Sequence, residues 1–276
     1  MTREELIRSF ESVFGAGGEI VTVFSPGRVN LIGEHTDYNG GHVFPAALTI
    51  GTYFAARKRT DDCVRFFSGN FEQAGINERS LSEMAFDRKK GFSNYLMGMI
   101  WAYETKLGLK TDSGMDVYLI GNIPNSSGLS SSASVEVGMG KVLNLLFGFD
   151  VPNREIAIVG QYSENHYNGV NCGIMDQFAI AMGKKDHAIF LDTATLNYTY
   201  APIVLDSMKI VISCTNKKRG LADSKYNERR SECEQALKEL QTVTDIRSLG
   251  DLDEAAFERY KDAIADPVRV RRARHA

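Results

Sequence analysis

The sequence predicts an α+β (mixed α/β) fold, and two observations point to this class. Short runs rich in β-branched and aromatic residues, which are typical of strands, are interspersed with longer stretches whose apolar residues recur at helical spacing. The two kinds of element do not alternate strictly, which argues against a barrel of eight strand–helix repeats. The chain has 276 residues, enough for two domains.

Five helices are predicted from apolar periodicity and from start and stop signals. Thr2 and Glu5 form the pattern of a capping box at the start of the first helix. Gly108 follows the second helix, at the position where a glycine commonly ends one. The predicted helices cover residues 2–14, 94–107, 133–147, 153–166 and 222–241.

Seven short strands are predicted between these helices. They cover residues 20–24, 43–47, 49–57, 64–68, 115–121, 189–192 and 209–214. Ala201 and Pro202 interrupt the pattern before the last strand. We therefore predict one domain over residues 1–204 and the beginning of a second over residues 205–276.

The composition narrows the class of protein. Apolar residues make up 43% and charged residues 24% of the chain, as in ordinary globular proteins. The net charge of −3 gives no reason to expect nucleic acid or an anionic membrane as a partner. Four widely spaced cysteines form no Cys-x-x-Cys pair, which favours a reducing compartment and no zinc site. No secretory signal or membrane-spanning run is recognisable, so we predict a cytoplasmic protein without a membrane partner.

The C-terminal residues 268–276 carry four arginines and are helical in character, yet no glycine or proline follows them. A basic tail for an acidic partner is one interpretation. The favoured one is a helix that continues in a longer parent sequence.

Residues 122–136 are the most informative segment. Eight of the nine residues from Ser126 to Ser134 are Ser, Gly or Ala, and they lie between a predicted strand and a predicted helix. This order directs unpaired backbone N–H groups and the positive end of a helix dipole towards one place. Such a place suits an anion, usually phosphate. A serine-rich surface loop with a helix N-cap is the alternative.

A second segment, residues 25–41, concentrates ionisable side chains on a glycine-framed turn. Arg28, Glu34, His35 and Asp37 lie within ten residues. Carboxylates and an imidazole suit several hydroxyl groups at once, so a polyhydroxylated sugar is the natural ligand. A solvated turn with ordinary ion pairs is the alternative. A metal site is a weaker one, because the spacing matches no zinc pattern.

Two later segments hold isolated candidates. Gly169 and Gly173 bracket a turn before Asp176, which either carries chemistry or only caps a helix. His166 alone is more often structural. Tyr226 could pack on a sugar face or donate its hydroxyl, although such a tyrosine more often only packs in the core or on the surface. The chain contains no Walker loop, no protein-kinase triplet and no dinucleotide-binding fingerprint.

Together these segments closely resemble the galactokinases, within the GHMP superfamily of small-molecule kinases. Residues 26–39 resemble the galactokinase signature, residues 128–133 the superfamily phosphate loop, and residues 172–178 the segment with the catalytic aspartate. The first motif is highly specific, whereas the second marks only the superfamily. The resemblance runs from about residue 10 to the end. It implies a two-domain GHMP kinase fold whose N-terminal domain is similar to domain 2 of ribosomal protein S5.

The resemblance also implies a reaction. The γ-phosphate of ATP would pass to the anomeric C1 hydroxyl of D-galactose, giving galactose 1-phosphate and ADP in the first step of the Leloir pathway. Mg²⁺ would accompany ATP, and the protein would be a monomer or a weak oligomer. A kinase for another sugar, such as N-acetylgalactosamine, arabinose or a uronic acid, is an alternative. A non-catalytic sugar sensor is less favoured, because Asp176 and the phosphate loop are both present.

The resemblance assigns roles to individual residues. Arg28 and Asp176 would be catalytic, with Arg28 steadying the transferring phosphoryl group and keeping Asp176 ionised. Asp176 would act as a general base or only as an electrostatic aligner. Galactose would be bound by Glu34, His35, Thr36, Asp37, Gly173 and Tyr226. ATP would be bound by Ser68, Ser126, Ser127, Gly128, Leu129, Ser130, Ser131 and Ser132. Mg²⁺ would be ligated, directly or through water, by Ser132 and Glu164.

Two departures from the family pattern stand out. Ser126 and Ser127 stand where many members have glycine. The superfamily's third motif, a late glycine-rich segment, is not found. We therefore expect a C-terminally truncated member, whose own activity is an open question at this point.

Overall fold

The computed structural model describes residues 1–124, 127–213 and 225–276. These residues form two compact units. Unit 1 comprises Met1–Arg28, Ala47–Gly169 and Asp176–Met182, and unit 2 comprises Val29–Ala46, Val170–Met175 and Gly183–Ala276. Helices and sheets occur in both, which confirms the predicted α+β class. The domain boundary between residues 204 and 205 stays a prediction.

The described helices are α1 (Arg3–Phe14), α2 (Ser93–Leu107), α3 (Ser131–Phe147), α4 (Asn153–His166), α5 (Met175–Ala181), α6 (Lys225–Leu240), α7 (Glu254–Tyr260) and α8 (Pro267–His275). The described strands are β1 (Val21–Asn30), β2 (His42–Val43), β3 (Pro45–Lys58), β4 (Cys63–Ser68), β5 (Asn77–Ser80), β6 (Met115–Gly121), β7 (His187–Asp192) and β8 (Tyr198–Pro202).

Unit 1 is built on a five-stranded sheet with the strand order β1-β3-β6-β4-β5. Strand β6 pairs antiparallel with β3, where Leu119 lies opposite Phe54, and parallel with β4, where Val117 lies opposite Phe66. Helices α2, α3 and α4 contact one another, and their apolar side chains share one core with the sheet. Each fully buried apolar side chain of this kind contributes roughly 1.5–3 kcal/mol.

Close packing in unit 1 depends on a glycine in α3. A Cβ atom on Gly138 would lie 2.2 Å from the Phe54 ring. Phe54 is completely buried in the core, so any side chain at position 138 would displace the helix from the sheet. The glycine thereby fixes how closely the middle of α3 approaches the strands.

The N-terminal helix is tied to the same sheet. The Thr2 hydroxyl accepts the Glu5 N–H at 3.2 Å, and the Glu5 carboxylate accepts the Thr2 N–H at 2.7 Å, which confirms the predicted capping box. Arg57 donates to the Phe14 carbonyl at 3.1 Å and to the Asp116 carboxylate at 3.0 Å. Asp116 is buried and also accepts from Arg59 at 3.1 Å and Arg65 at 2.7 Å. Three guanidinium groups thus surround one carboxylate.

Unit 2 contains a three-stranded antiparallel sheet with the order β2-β7-β8. Its helices enclose a separate core that includes Cys233, Leu240, Leu249 and Phe257. Asp266 is the N-cap residue of helix α8, and its carboxylate accepts the Val268 N–H at 2.6 Å. The predicted helical character of residues 268–276 is therefore confirmed for most of that segment.

Several predicted bounds need correction. The strand predicted at residues 209–214 is wrong for its described part, because residues 209–213 are exposed and adopt no strand. Their run of β-branched residues is typical of a strand. In the described chain, however, this segment is not part of either sheet. Strands β5 and β8 and helices α5 and α7 were not predicted. Helix α6 is described only from Lys225, so residues 222–224 of that prediction lie outside the described residues.

No described helix combines the length and the apolar character that a membrane crossing requires.

Candidate functional site

The predicted phosphate loop leads from β6 into α3 in unit 1. Gly128 and Ser130 both have positive φ angles, of 73° and 60°. A serine rarely adopts this conformation, which is commonly found at ligand sites. Leu129 is buried, and its carbonyl accepts the Arg28 N–H at 3.2 Å. This hydrogen bond fixes the described part of the loop to Arg28 at β1. Ser126 lies outside the described residues.

Helix α3 begins without a side-chain cap. Ser130 occupies the N-cap position, yet its hydroxyl makes no capping hydrogen bond. The first N–H groups of the helix, those of Ser131 and Ser132 among them, have no acceptor within the helix itself. A helix start of this kind attracts an anion through its N–H groups and its dipole.

Arg28 and Asp176 meet beside this loop. Arg28 donates to Oδ1 of Asp176 through Nε at 2.8 Å and through Nη2 at 2.7 Å, and its Nη1 donates to the Gly128 carbonyl at 2.5 Å. The Ser130 hydroxyl donates to the other Asp176 oxygen, Oδ2. The two charged side chains are 13% and 30% exposed, so water screens them only in part. Asp176 is the second residue of α5 and does not cap that helix.

Three further polar side chains are buried in unit 1. Glu136 on α3, Glu164 on α4 and Gln177 on α5 are 0%, 4% and 1% exposed. The Gln177 amide nitrogen donates to Glu136 Oε2 at 3.0 Å and to Glu164 Oε2 at 3.3 Å. One amide therefore joins two carboxyl groups from two other helices.

Burial controls the protonation of this pair. Burial raises the pKa of Glu136 well above its usual value, and the adjacent Glu164 charge raises it further. Burial also raises the pKa of Glu164 to about 7, against hydrogen bonds from Glu136 and Ser132 that favour its ionised form. A nearby cation would favour ionisation of both.

Ser68 and Ser127 are the remaining described residues predicted to bind ATP. Ser68 is buried at the end of β4, and its hydroxyl accepts the Asn70 N–H at 3.3 Å in the turn that follows. The Ser127 N–H donates to the Pro124 carbonyl at 3.4 Å. Both contacts are local, and the roles of these residues stay predictions.

The residues predicted to bind galactose lie in unit 2. Thr36 closes the turn, because its hydroxyl lies within hydrogen-bonding distance of two carbonyl oxygens, those of Gly33 at 2.8 Å and His42 at 2.7 Å. Asp37 accepts the Met175 N–H at 3.3 Å. A Cβ atom on Gly173 would lie 2.0 Å from an Asp37 carboxylate oxygen, so only glycine allows this approach.

An aromatic cluster surrounds His35 in the same unit. His35 Nδ1 lies 2.7 Å from the Tyr38 hydroxyl, and the His35 and Tyr226 rings lie 5.2 Å apart. Burial lowers the pKa of His35, and the nearby His275, Arg272 and Arg229 lower it further. The ring is therefore neutral near pH 7, with one nitrogen that donates and one that accepts.

Glu34 completes this group. Its Oε1 accepts the Asn30 amide at 3.0 Å, and its backbone carbonyl accepts His275 Nε2 at 2.7 Å. The structure thus places Glu34, His35, Thr36, Asp37, Gly173 and Tyr226 in unit 2, and Arg28, the described phosphate loop, Glu164 and Asp176 in unit 1.

Three residues of these groups were not predicted, namely Tyr38, Glu136 and Gln177. Tyr38 lies within the signature segment, but no signal in the sequence indicated its contact with His35. Glu136 carried a usable signal, because it is a carboxylate flanked by Val135 and Val137 in an apolar helix. Gln177 carried none apart from its position next to Asp176.

Two family models match the chain. The galactokinase galactose-binding signature matches residues 8–58, and the GHMP kinases N terminal domain matches residues 94–184.

Relatives are similar over almost the entire chain. A galactokinase from Ligilactobacillus salivarius is 53% identical over 276 residues, which are all of this chain and 71% of the relative. One from Clostridium acetobutylicum is 56% identical over 269 residues, 98% of this chain and 67% of the relative. The chain thus spans about 70% of the length of such relatives.

Solved structures agree. Lactococcus lactis galactokinase complexed with galactose is 48% identical and superposes with a TM-score of 0.95 over 99% of this chain and 70% of its own. Methanococcus jannaschii mevalonate kinase, at 18% identity, has a TM-score of 0.59 over 83% of this chain and 75% of its own, which shows a shared fold only. The predicted resemblance is confirmed, and the identity to these relatives shows that the chain belongs to the galactokinase family.

Proposed function

We propose that this chain transfers the γ-phosphate of ATP to the C1 hydroxyl of D-galactose, giving galactose 1-phosphate and ADP in the first step of the Leloir pathway. The observation that carries the proposal is the Arg28–Asp176 pair beside an uncapped helix start. The relatives from L. salivarius and C. acetobutylicum are named galactokinases, and the L. lactis structure contains galactose.

Phosphoryl transfer depends mainly on positioning and on neutralised charge. The N–H groups at the start of α3 would bind the ATP phosphates, together with the loop hydroxyls. The left-handed conformation of Ser130 would keep the loop backbone close to these phosphates. We assign Ser68, Ser126, Ser127, Gly128, Leu129, Ser130, Ser131 and Ser132 to this nucleotide site.

Asp176 would accept the proton of the sugar C1 hydroxyl, or orient that hydroxyl for attack. Arg28 holds one oxygen of the carboxylate and Ser130 the other, so the group is fixed before a substrate arrives. The guanidinium would also offset the negative charge of the transferring phosphoryl group. Arg28 and Asp176 are therefore the proposed catalytic residues.

Mg²⁺ fits the donors that unit 1 offers. Ser132 and Glu164 are hydrogen-bonded to each other, and both offer oxygen atoms. Oxygen is the ligand atom that Mg²⁺ prefers. Among the described residues no cluster of three His, Cys, Asp or Glu side chains could hold a metal alone. The ion would therefore take its other ligands from phosphate and water. When bound, it would neutralise the β- and γ-phosphate charge.

Galactose would be bound by the residues of unit 2. The carboxylates of Glu34 and Asp37 would accept sugar hydroxyls, and the neutral His35 ring would donate to or accept from another. The Tyr226 ring would offer an apolar face to the sugar. Thr36 and Gly173 would shape this site, since one closes the turn and the other admits Asp37.

We further propose a cytoplasmic location and a monomeric or weakly oligomeric state. Cys63 and Cys233 form no disulfide, which suits a reducing compartment.

The function is tested by ADP release with ATP, Mg²⁺ and galactose, coupled to a phosphorus NMR assignment of the product. Galactose-dependent ADP together with a sugar 1-phosphate is expected. A rate equal to that without sugar would refute the proposal. A higher kcat/KM for N-acetylgalactosamine or arabinose would replace galactose as the substrate while keeping the reaction.

A further inference from the structure

We propose that Gln177 is a positioning residue for the metal–nucleotide site. Its side-chain amide, shared between Glu136 and Glu164, holds the Glu164 carboxylate in the orientation in which it ligates Mg²⁺. This inference rests on the proposed function, because it takes Glu164 as a metal ligand.

The hydrogen bonds place Gln177 between two carboxyl groups that belong to two other helices. Its Nε2 lies 3.0 Å from Glu136 Oε2 and 3.3 Å from Glu164 Oε2. An amide NH₂ group has two hydrogens, so each carboxylate can receive one. The same nitrogen thereby joins α3, α4 and α5 at side chains that are all at least 96% buried.

The surface of α4 is shaped to admit this side chain. A Cβ atom on Gly160 would lie 3.1 Å from Gln177 Cγ and 3.7 Å from Glu136 Cβ. The absence of a side chain at position 160 thus leaves room for the first carbons of Gln177. Packing on this side restricts the rotamers of Gln177 and fixes where its amide points.

The chemistry of the donor explains why an amide serves here. Lysine or arginine would also satisfy the carboxylates, but its positive charge would repel a cation near Glu164. Glutamine donates hydrogen bonds without adding charge, so the negative charge of Glu164 stays available to Mg²⁺. Hydrogen-bond partners behind a metal ligand commonly set its orientation, and their loss costs ~10–100-fold in metal affinity or activity.

The test measures metal–nucleotide affinity rather than turnover alone. Mn²⁺ replaces Mg²⁺ as a paramagnetic probe, and its binding to the full chain with ATP is followed by electron paramagnetic resonance. The variant is Gln177→Met, which keeps the length of the side chain and removes its donor. We expect at least ~10-fold weaker Mn²⁺–ATP binding. Unchanged affinity, even with a lowered Tm, would overturn the proposal.

A matched control separates positioning from general damage to the core. Asn94 is a buried amide on α2 of the same unit, and it donates to the Asp87 carbonyl at 2.8 Å. Asn94→Leu should lower the Tm and leave the Mn²⁺–ATP affinity at the wild-type value. An equal loss of affinity in this control would also overturn the proposal, because the effect would then not be specific to Gln177.

Gly160→Ala provides a second variant if Gln177→Met does not fold. It keeps the amide but pushes Gln177 by a few tenths of an ångström, and we expect weaker Mn²⁺–ATP binding than in the wild type. Wild-type affinity in Gly160→Ala would then count against the proposal. The absence of galactose-dependent ADP release by the wild type would refute the kinase function, whereas the affinity comparison would still report on Gln177.

Discussion

Arg28 and Asp176 are joined through a single oxygen: both Nε and Nη2 of Arg28 donate to Oδ1, at 2.8 and 2.7 Å. The other oxygen, Oδ2, is left to the hydroxyl of Ser130. The carboxylate is therefore held by a charge on one side and by a neutral hydroxyl on the other. Oδ2 is the oxygen better suited to a substrate hydroxyl, since a hydroxyl donor is exchanged more easily than an ion pair.

We expect Asp176→Ala and Arg28→Ala to slow the chemical step, because each removes one partner of the pair. A positioned acid–base group is typically worth ~10²–10⁴-fold. Single-turnover kinetics with saturating ATP and galactose measures this step directly. Unchanged rates in both variants would contradict the assigned roles.

Gly173→Ala should impair sugar binding and spare nucleotide binding. The new Cβ would collide with the Asp37 carboxylate, which lies 2.0 Å from the Cβ position. Overpacking of this kind costs about 1–3 kcal/mol, or roughly 10–100-fold in the Kd for galactose. Calorimetry with galactose and with ATP separates the two effects. Gly121→Ala is the control, because its backbone is not left-handed and its Cβ would meet only ordinary contacts, the nearest being Thr52 Oγ1 at 3.5 Å.

Galactose binding should tolerate mild acid. The pKa of His35 is lowered from its usual value of 6.5 by burial and by neighbouring cations, so the ring stays neutral somewhat below pH 6.5. The unfolded chain binds this proton more readily than the folded one, and stability therefore falls as the pH drops below 6.5. In galactose titrations between pH 8 and pH 5, the Kd should stay constant down to pH 6.5 and increase only below it. If the Kd already increases while the pH is still above about 7, the ring is not neutral there and the prediction is wrong. His35→Gln should remove the pH dependence.

The metal-free protein should lose stability between pH 5 and pH 8. The pKa of Glu164 is raised from 4.5 to about 7, so the folded state keeps a proton that the unfolded state has already released. Stability linked to this group is thus present below pH 4.5 and is lost as the pH rises through about 7. Urea unfolding at several pH values measures the slope, and Mg²⁺ with ATP should reduce it. A Glu164→Gln variant with the wild-type slope would show that another group is responsible.

Asp116→Ala should destabilise unit 1 by about 3–5 kcal/mol, because it leaves three guanidinium groups without their shared buried carboxylate. Chemical denaturation measures the loss. Asp112→Ala is the matched control: its side chain is 72% exposed beside Lys58, whereas that of Asp116 is 1% exposed. We expect the control to match the wild type. Equal stability of both variants would show that the arginine cluster is not structural.

Local sequence signals predicted the elements whose stability is local. The capping box of Thr2 and Glu5, the glycine stop at Gly108, helix α4 and strand β6 were all predicted at or within one residue of their observed bounds. The uncapped start of α3 was predicted two residues too late, since its first two residues are serines, which favour a loop equally well.

Features that depend on distant partners could not be predicted. Gln177 contacts Glu136 across 41 residues of sequence, and no period or spacing encodes that meeting. Strand β5 is short and polar, and it is a strand only because β4 pairs with it. Residues 209–213 show the converse, since their pattern is that of a strand but they pair with neither described sheet.

The attachment of Arg28 to the phosphate loop has a kinetic consequence. Its backbone N–H donates to the Leu129 carbonyl and its guanidinium donates to the Gly128 carbonyl, so two hydrogen bonds restrain residues 128 and 129 at Arg28. A nucleotide that arrives at the phosphate loop therefore meets backbone N–H donors that are already oriented for its phosphates. Association of ATP should then proceed at the pace of diffusive encounter rather than wait for a slow rearrangement of these residues.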